Sequence, residues 1–447
     1  MNETKVLAQF ISETDFDSLD KSTVEAAKIA ILDGIANMVA GSTQELSDII
    51  GEYIKEQGGT PSSSVIGWGY KTNPPAAAFA NGVFGHCLDF EIQGFPPTHG
   101  TSSCLPAALA IGENRHSSGK SIITAYTLGW EIQGRLREAS DANHNPALHP
   151  PGLVGPIGGA TASAKVLSLD THKTLMALGI AASRTGGLTA NTGTMVKSTH
   201  PGNAARMGAE SALLAEKGYT SSEQPLESSV GYAAGLFQGI FDWDILLKEL
   251  GESYRLIDPG FDIKRFPAQV YMQNPIEAVL NLRENNDLSP EMVQSLIIHR
   301  RGRGHSGPIP LTGLDGKFSV EYCAAVALLD GKVNIDSFTD ERRFAEDMEN
   351  TLSKITVDPE GPTSGTVAVT AILKDGTEIK DECVSFKGSA KNPMNTSERM
   401  DKVVDCISRA ISDDETNEVI ESVNNLEDLD DISNLMALLG KASSIRA

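Results

Sequence analysis

"GPIGGATASAKVL" (residues 155–167) and "GNAARMGAESALLAEKG" (residues 202–218) decide how this chain packs. Both runs are built on Gly, Ala and Ser, with Ile157, Val166, Leu213 and Leu214 set between the small residues. Alanine favours helix, and a helix side without bulk lets a second backbone approach closely. The bulky residues argue against low complexity. The pattern predicts interior helices of a helical bundle.

The same texture extends outward over roughly the first 250 residues. "KSTVEAAKIAILDGIANMVAG" (21–41) has Ser22 and Glu25 at capping-box spacing, then apolar residues at helical period before Gly41. "NPPAAAFANGVFGHCLDF" (73–90) offers Asn73 as a cap with Pro74 at the first helical position. Beyond about residue 265 the pattern changes. Residues 292–302 and 350–360 read as strands, and "SGTVAVTAILKDGTEIKDECVSF" (364–386) as a hairpin around Lys374-Asp375-Gly376. Between them "KFSVEYCAAVALLDGKV" (317–333) reads as a helix ending at Gly331. From Asn395 the helical period returns, and the acidic finish (411–439) reads as a solvated helical pair docked on the first domain. The expectation is a mainly α protein. Residues 1–265 and 395–447 form an all-helical domain, and 266–394 a smaller inserted α+β domain.

A chain of 447 residues exceeds one compact core, in keeping with two domains. Its 37 basic and 59 acidic residues give a net charge of −22, which argues against nucleic acid and anionic membrane surfaces as partners. No apolar run approaches the roughly 20 residues needed to span a bilayer. The start "MNETKVLAQF" has no signal-peptide pattern, and the five cysteines are scattered singly. A cytoplasmic setting follows as the default, without a disulfide framework or an iron–sulfur cluster.

One local arrangement recurs: a basic side chain in a loop, then a helix start. His99 precedes "SSCLPAALA", and His149 precedes the glycine-rich run. Lys197 and His200 precede the second small-residue run, and Lys264 and Arg265 precede "VYMQNPIEAVL". A helix N-terminus presents free N–H groups and about half a positive charge, so four of them converging would hold an anion with several carboxylates. Asp89 can orient a histidine; Glu91 is a weaker candidate, and His86 reads as a core residue. His116, His144, His172 and His299 read as structural, and His305 as part of a solvated basic loop. Cys87 and Cys104 read as small buried residues rather than nucleophiles. No dinucleotide-binding fingerprint, P-loop, H-E-x-x-H or G-x-S-x-G is present, and His144 with His149 makes a poor metal pair, so no metal is expected.

These segments resemble the MmgE/PrpD family along nearly the whole chain. The resemblance rests on "NGVFGHCLDFE", "THGTSSCLPAALAIGE", "LHPPGLVGPIGGATASAKVLSL", "MVKSTHPGNAARMGAESALLA", "IKRFPAQ" and "KFSVEYCAAVALLDGKV". It implies a helical domain from both chain ends with an α+β insertion, a homodimer, and no required cofactor. It places catalytic roles on Asp89, His99, His149, Lys197 and Lys264. Substrate contacts are expected from His200, Gln93, Arg265 and Gln269. Members often carry Cys or His where this chain has Gln269, and His where it has Gln273; glutamine binds but does not shuttle protons near neutral pH.

The family includes 2-methylcitrate dehydratases, cis-aconitate decarboxylases and iminodisuccinate epimerases, reactions that share a carbanion beside a carboxylate or imine. The resemblance therefore implies a cofactor-free lyase, dehydratase or decarboxylase, acting on a small di- or tricarboxylic acid. A dicarboxylate epimerase and a non-catalytic helical scaffold are the rival readings.

Overall fold

The computed structural model describes residues 2–302, 306–362 and 365–443, so His305 lies outside the described residues. Helices Pro150–Val166 and Val196–Glu216 pack against each other as the small residues predict. Helices Pro74–Cys87, Thr101–Arg115 and Gly119–Ala139 surround them. The approach is close enough to exclude a methyl group. A Cβ on Gly208 would lie 2.4 Å from the backbone carbon of Gly159, and one on Gly202 would lie 2.9 Å from the Phe79 carbonyl oxygen. Gly208→Ala therefore tests the packing. Helix propensity favours alanine by about 1 kcal/mol, but backbone cannot yield as a side-chain tip does. The expected net result is a destabilisation of about 1–3 kcal/mol, read as a lower urea midpoint at unchanged m value.

Local signals set the helix ends. The Asn73 side chain accepts from Ala76 N–H ahead of Pro74, as its sequence position predicts. The 21–41 helix is capped differently: Asp20, not Ser22, accepts from Thr23 N–H, and Glu25 pairs with Lys28 instead. A carboxylate two residues upstream won the cap.

The helical core gathers residues from Leu7 to Ile263 and again from Met394 to Leu439, with Ile335 joining it from the intervening segment. A second core runs from Phe266 to Phe386. It lies beneath a four-stranded sheet in the order Ile355–Asp358, Val293–His299, Val367–Leu373, Glu378–Cys383. The first pair is parallel and the others antiparallel, with Lys374-Asp375-Gly376 turning the predicted hairpin. Leu296, Ile298, Val369 and Ala371 alternate inward, towards the buried faces of helices Val270–Asn285 and Val320–Asp330. Gly331 closes the latter helix at φ 65°, as its position predicts.

After helix Thr396–Ile407 the acidic stretch forms the expected pair, Asp413–Asn424 and Ser433–Leu439. A buried ion pair between Lys402 and Asp33, 2.5 Å apart, ties the tail to helix Lys21–Gly41. No described helix is long and apolar enough to cross a membrane.

Candidate active site

Four helix starts converge on one cavity of about 250 Å³. His99 stands ahead of helix Thr101–Arg115, His149 at the start of Pro150–Val166, Lys197 in the first turn of Val196–Glu216, and Gln269 ahead of Val270–Asn285. All four line its wall, together with Asp89 and Gln93. The last start comes from the α+β segment, so both cores contribute.

Asp89 is the organising residue. It follows the end of helix Pro74–Cys87 in the left-handed region, at φ 52°, a conformation that Asp and Asn tolerate better than most residues. Lys264 Nζ holds it there, donating to the Asp89 carbonyl oxygen at 2.9 Å and also to Oδ1. Lys197 Nζ donates to Oδ2 at 2.5 Å. Burial alone would raise the Asp89 carboxyl; the two ammonium groups override it and hold the group well below the usual carboxylate range. Burial lowers Lys197, against the opposing pull of Asp89.

A histidine array sits on this base. His86 Nε2 accepts from Lys197 Nζ at 2.8 Å, so its proton lies on Nδ1, 2.6 Å from Glu91 Oε1. Burial first, then the Lys197 charge, push His86 down to about 3. His99 stacks edge-on against His86, ring centroids 4.4 Å apart; its Nδ1 is 3.2 Å from Glu91 Oε1 but outside hydrogen-bond geometry. His149 Nδ1 faces His200 Nδ1 at 3.0 Å, so the two rings share one proton and their tautomers are complementary. Burial and the lysine charges hold His99 and His149 well below the ordinary histidine value. The cavity therefore carries neutral imidazoles at neutral pH.

Several expectations need correction. The helix starts converge, but their amides are largely committed inside the protein. Ser102 N–H donates to Glu91 Oε2, Pro150 and Pro151 have no N–H, and the N–H groups of Lys197 and Ser198 bond the preceding turn. Side chains, not helix ends, supply the cavity's chemistry. Lys197 and His200 belong to a helix rather than a loop. Lys264 is fully buried behind Asp89, and His200 backs His149 without lining the cavity. Arg265 turns away and pairs with Glu277 at 3.4 Å. Gln93 does line the wall, but its Nε2 is held by the Thr98 carbonyl at 2.7 Å. Gln273 is a brace: its amide bonds Arg265 N, Phe266 N, Phe266 O and Ala268 O.

His86 and Glu91 were underrated by sequence, since both are buried at the centre of the array. Their signal was the interruption of an apolar stretch by three titratable groups, His86, Asp89 and Glu91, within six positions. His144 and Arg137 also line the cavity, although nothing in their local sequence marks them. Among the described residues, His86, His99 and His149 form the one cluster close enough to hold a metal ion. It suits a cation poorly, because both His86 nitrogens are engaged, one of them by an ammonium 2.8 Å away. Cys87 and Cys104 are buried with thiols pushed up, Cys87 to about 11, which removes both as nucleophiles near neutral pH.

Comparison with known proteins identifies the family. The MmgE/PrpD N-terminal domain matches residues 5–244, and the MmgE/PrpD C-terminal domain matches residues 266–428. A Homo sapiens protein named cis-aconitate decarboxylase is 30% identical over 456 residues, covering 98% of this chain and 94% of that protein. Its Mus musculus namesake is 28% identical, covering 98% and 93%. A cis-aconitate decarboxylase from Aspergillus terreus is 27% identical, covering 98% and 95%. With both domains matched and human similarity running nearly end to end, the chain belongs to the MmgE/PrpD family.

Proposed function

We propose that this cavity decarboxylates a small tricarboxylic acid of the cis-aconitate class, without a cofactor. The observation that carries the reading is the juxtaposition of an ammonium, Lys197, with the His99 and His149 imidazoles on one wall. The names of the relatives make the substrate class specific. In the reaction the bond to one carboxylate breaks and carbon dioxide leaves. The electron pair stays on carbon, conjugated with a remaining carboxylate, and a proton from the protein quenches it. Lys197 stabilises the developing charge, and His99 or His149 delivers the proton. Asp89 and Lys264 act behind Lys197, fixing its position. The reading includes a cytoplasmic homodimer with neither nucleic acid nor membrane as partner. A scaffold without chemistry accounts poorly for such a cluster, because buried charges are a costly way to hold a fold together.

Proton NMR in deuterated water tests the reaction class directly. With cis-aconitate the expected result is loss of substrate and growth of a decarboxylated dicarboxylic acid carrying deuterium at the protonated carbon. Loss of water from 2-methylcitrate without decarboxylation of cis-aconitate would replace this reading with a dehydratase. Deuterium exchange without net loss of water or carbon dioxide would replace it with an epimerase. Unchanged spectra for every acid would leave no lyase to defend.

A further inference from the structure

We infer that Arg137 is a second carboxylate anchor of the cavity, set on a different element from Lys197 and selecting acids by their number of carboxylates. This rests on the reading of the cavity as a carboxylate site. Arg137 lies in the last turn of helix Gly119–Ala139, lines the cavity, and is 6% exposed. Its Nη2 meets Asp141 Oδ1 at 2.7 Å. Its Nε and Nη1 are buried and have no hydrogen-bond partner among the described residues. Arginine cannot shed its proton to escape this position, so its unmet donors call for an acceptor.

Charge bookkeeping singles out the same residue. Each buried lysine of the cluster has a partner: Lys197 and Lys264 pair with Asp89, and Lys317 donates to the Cys87 carbonyl oxygen at 3.1 Å. Among the cavity-lining residues only Asp89 is acidic, and it is already committed to the two lysines. Asp141, the partner of Arg137, has a side chain 53% exposed, where water weakens its hold. Arg137 is thus the least compensated cation on the wall. His144, lining the same cavity, is held below its ordinary value by burial and then by the Arg137 charge. A guanidinium also recognises the planar carboxylate more selectively than an ammonium does.

Calorimetric titration with two saturated acids that cannot decarboxylate tests the assignment. Tricarballylate has three carboxylates, and glutarate is the same chain without the central one. The wild-type protein is expected to bind tricarballylate at least about tenfold more tightly than glutarate, a gap of one decade in Kd or about 1.4 kcal/mol. Arg137→Gln should close that gap by weakening tricarballylate selectively, and Arg137→Lys should narrow it. Asp141→Asn, which removes the ion pair but leaves the guanidinium, should keep the preference. Should Arg137→Gln not fold, Arg137→Lys is judged by the same gap. An Arg137 variant that retains the full preference overturns the assignment. So does an Asp141→Asn protein that loses the preference equally, since the arginine would then be serving the fold. A wild type that binds both acids equally removes the selectivity. A wild type that binds neither overturns the carboxylate reading itself, a failure distinct from that of Arg137.

Discussion

Asp89→Asn is expected to cost about 3–5 kcal/mol of stability, the usual range for removing one partner of a buried ion pair, and to stop turnover. Asparagine has nearly the shape of aspartate and accepts the φ of 52° found here, so the backbone has no reason to move. What changes is charge. Lys264 is fully buried and Lys197 is 7% exposed, and both direct their ammonium groups at the Asp89 carboxylate. Without it, two cations share a dry site, and the cheapest relief is for one to lose its proton. A neutral lysine stabilises no carbanion. The double variant Asp89→Asn/Lys264→Met removes one charge of each sign and is expected to recover more than half the lost stability, but not the activity. Denaturant titration of both variants, with turnover measured alongside, checks this. If Asp89→Asn melted with the wild-type protein, the ion triad could not be what organises the site.

The fold was legible where the signal is short-range. Asn73 with Pro74 marks a helix start, and Lys374-Asp375-Gly376 marks a turn, because backbone chemistry within a few residues decides both. The small-residue runs went further and foretold a contact between distant segments. A backbone carbon 2.4 Å from where Gly208 would place a methyl leaves only glycine there, so the sequence carries the imprint of its neighbour.

The site divides along the same line. His99, His149 and Lys197 could be found because each stands at a helix start, a local feature. How they pair could not. Nothing near Lys264 announces that it will cross to Asp89, 175 positions away. Glu91 looks like a loop carboxylate until Ser102 N–H and the His86 ring close on it. The helix-end hypothesis located the right place for an incomplete reason. Helix ends bring side chains to the cavity, while their amides are spent on Glu91 or on the preceding turn, or are replaced by proline. Satisfaction of hydrogen bonds is a property of the folded whole, and local sequence does not encode it.

The histidines should turn binding of the acid into proton uptake. Burial and the lysine charges hold His99 and His149 well below their ordinary value, so both are neutral at pH 7 in the protein by itself. A bound polycarboxylate brings negative charge against them and raises both. The sign follows from linkage: the complex binds more protons than its separate parts, so affinity strengthens as pH falls and weakens as pH rises through the bound-state value. The range to examine lies above about pH 7, where the acid's carboxyls are all ionised even though each raises its neighbours' pKa. Titration calorimetry in two buffers of different ionisation enthalpy should show a net uptake, and the uptake should shrink in His149→Ala. The same coupling accounts for the order of events in catalysis, because an imidazole charged by the substrate is a proton donor created only when there is a carbanion to receive the proton. His99→Ala or His149→Ala, whichever removes that donor, should lower kcat by about 10²–10⁴ with little change in stability beyond the lost packing. His200 presents its Nδ1 to His149 at 3.0 Å, so His200→Ala should lose activity by freeing the His149 tautomer rather than by removing the donor. Its pH profile should therefore shift, whereas that of the donor variant should flatten. Equal heats in the two buffers would mean that the imidazoles stay neutral throughout, and the proton must then come from Lys197.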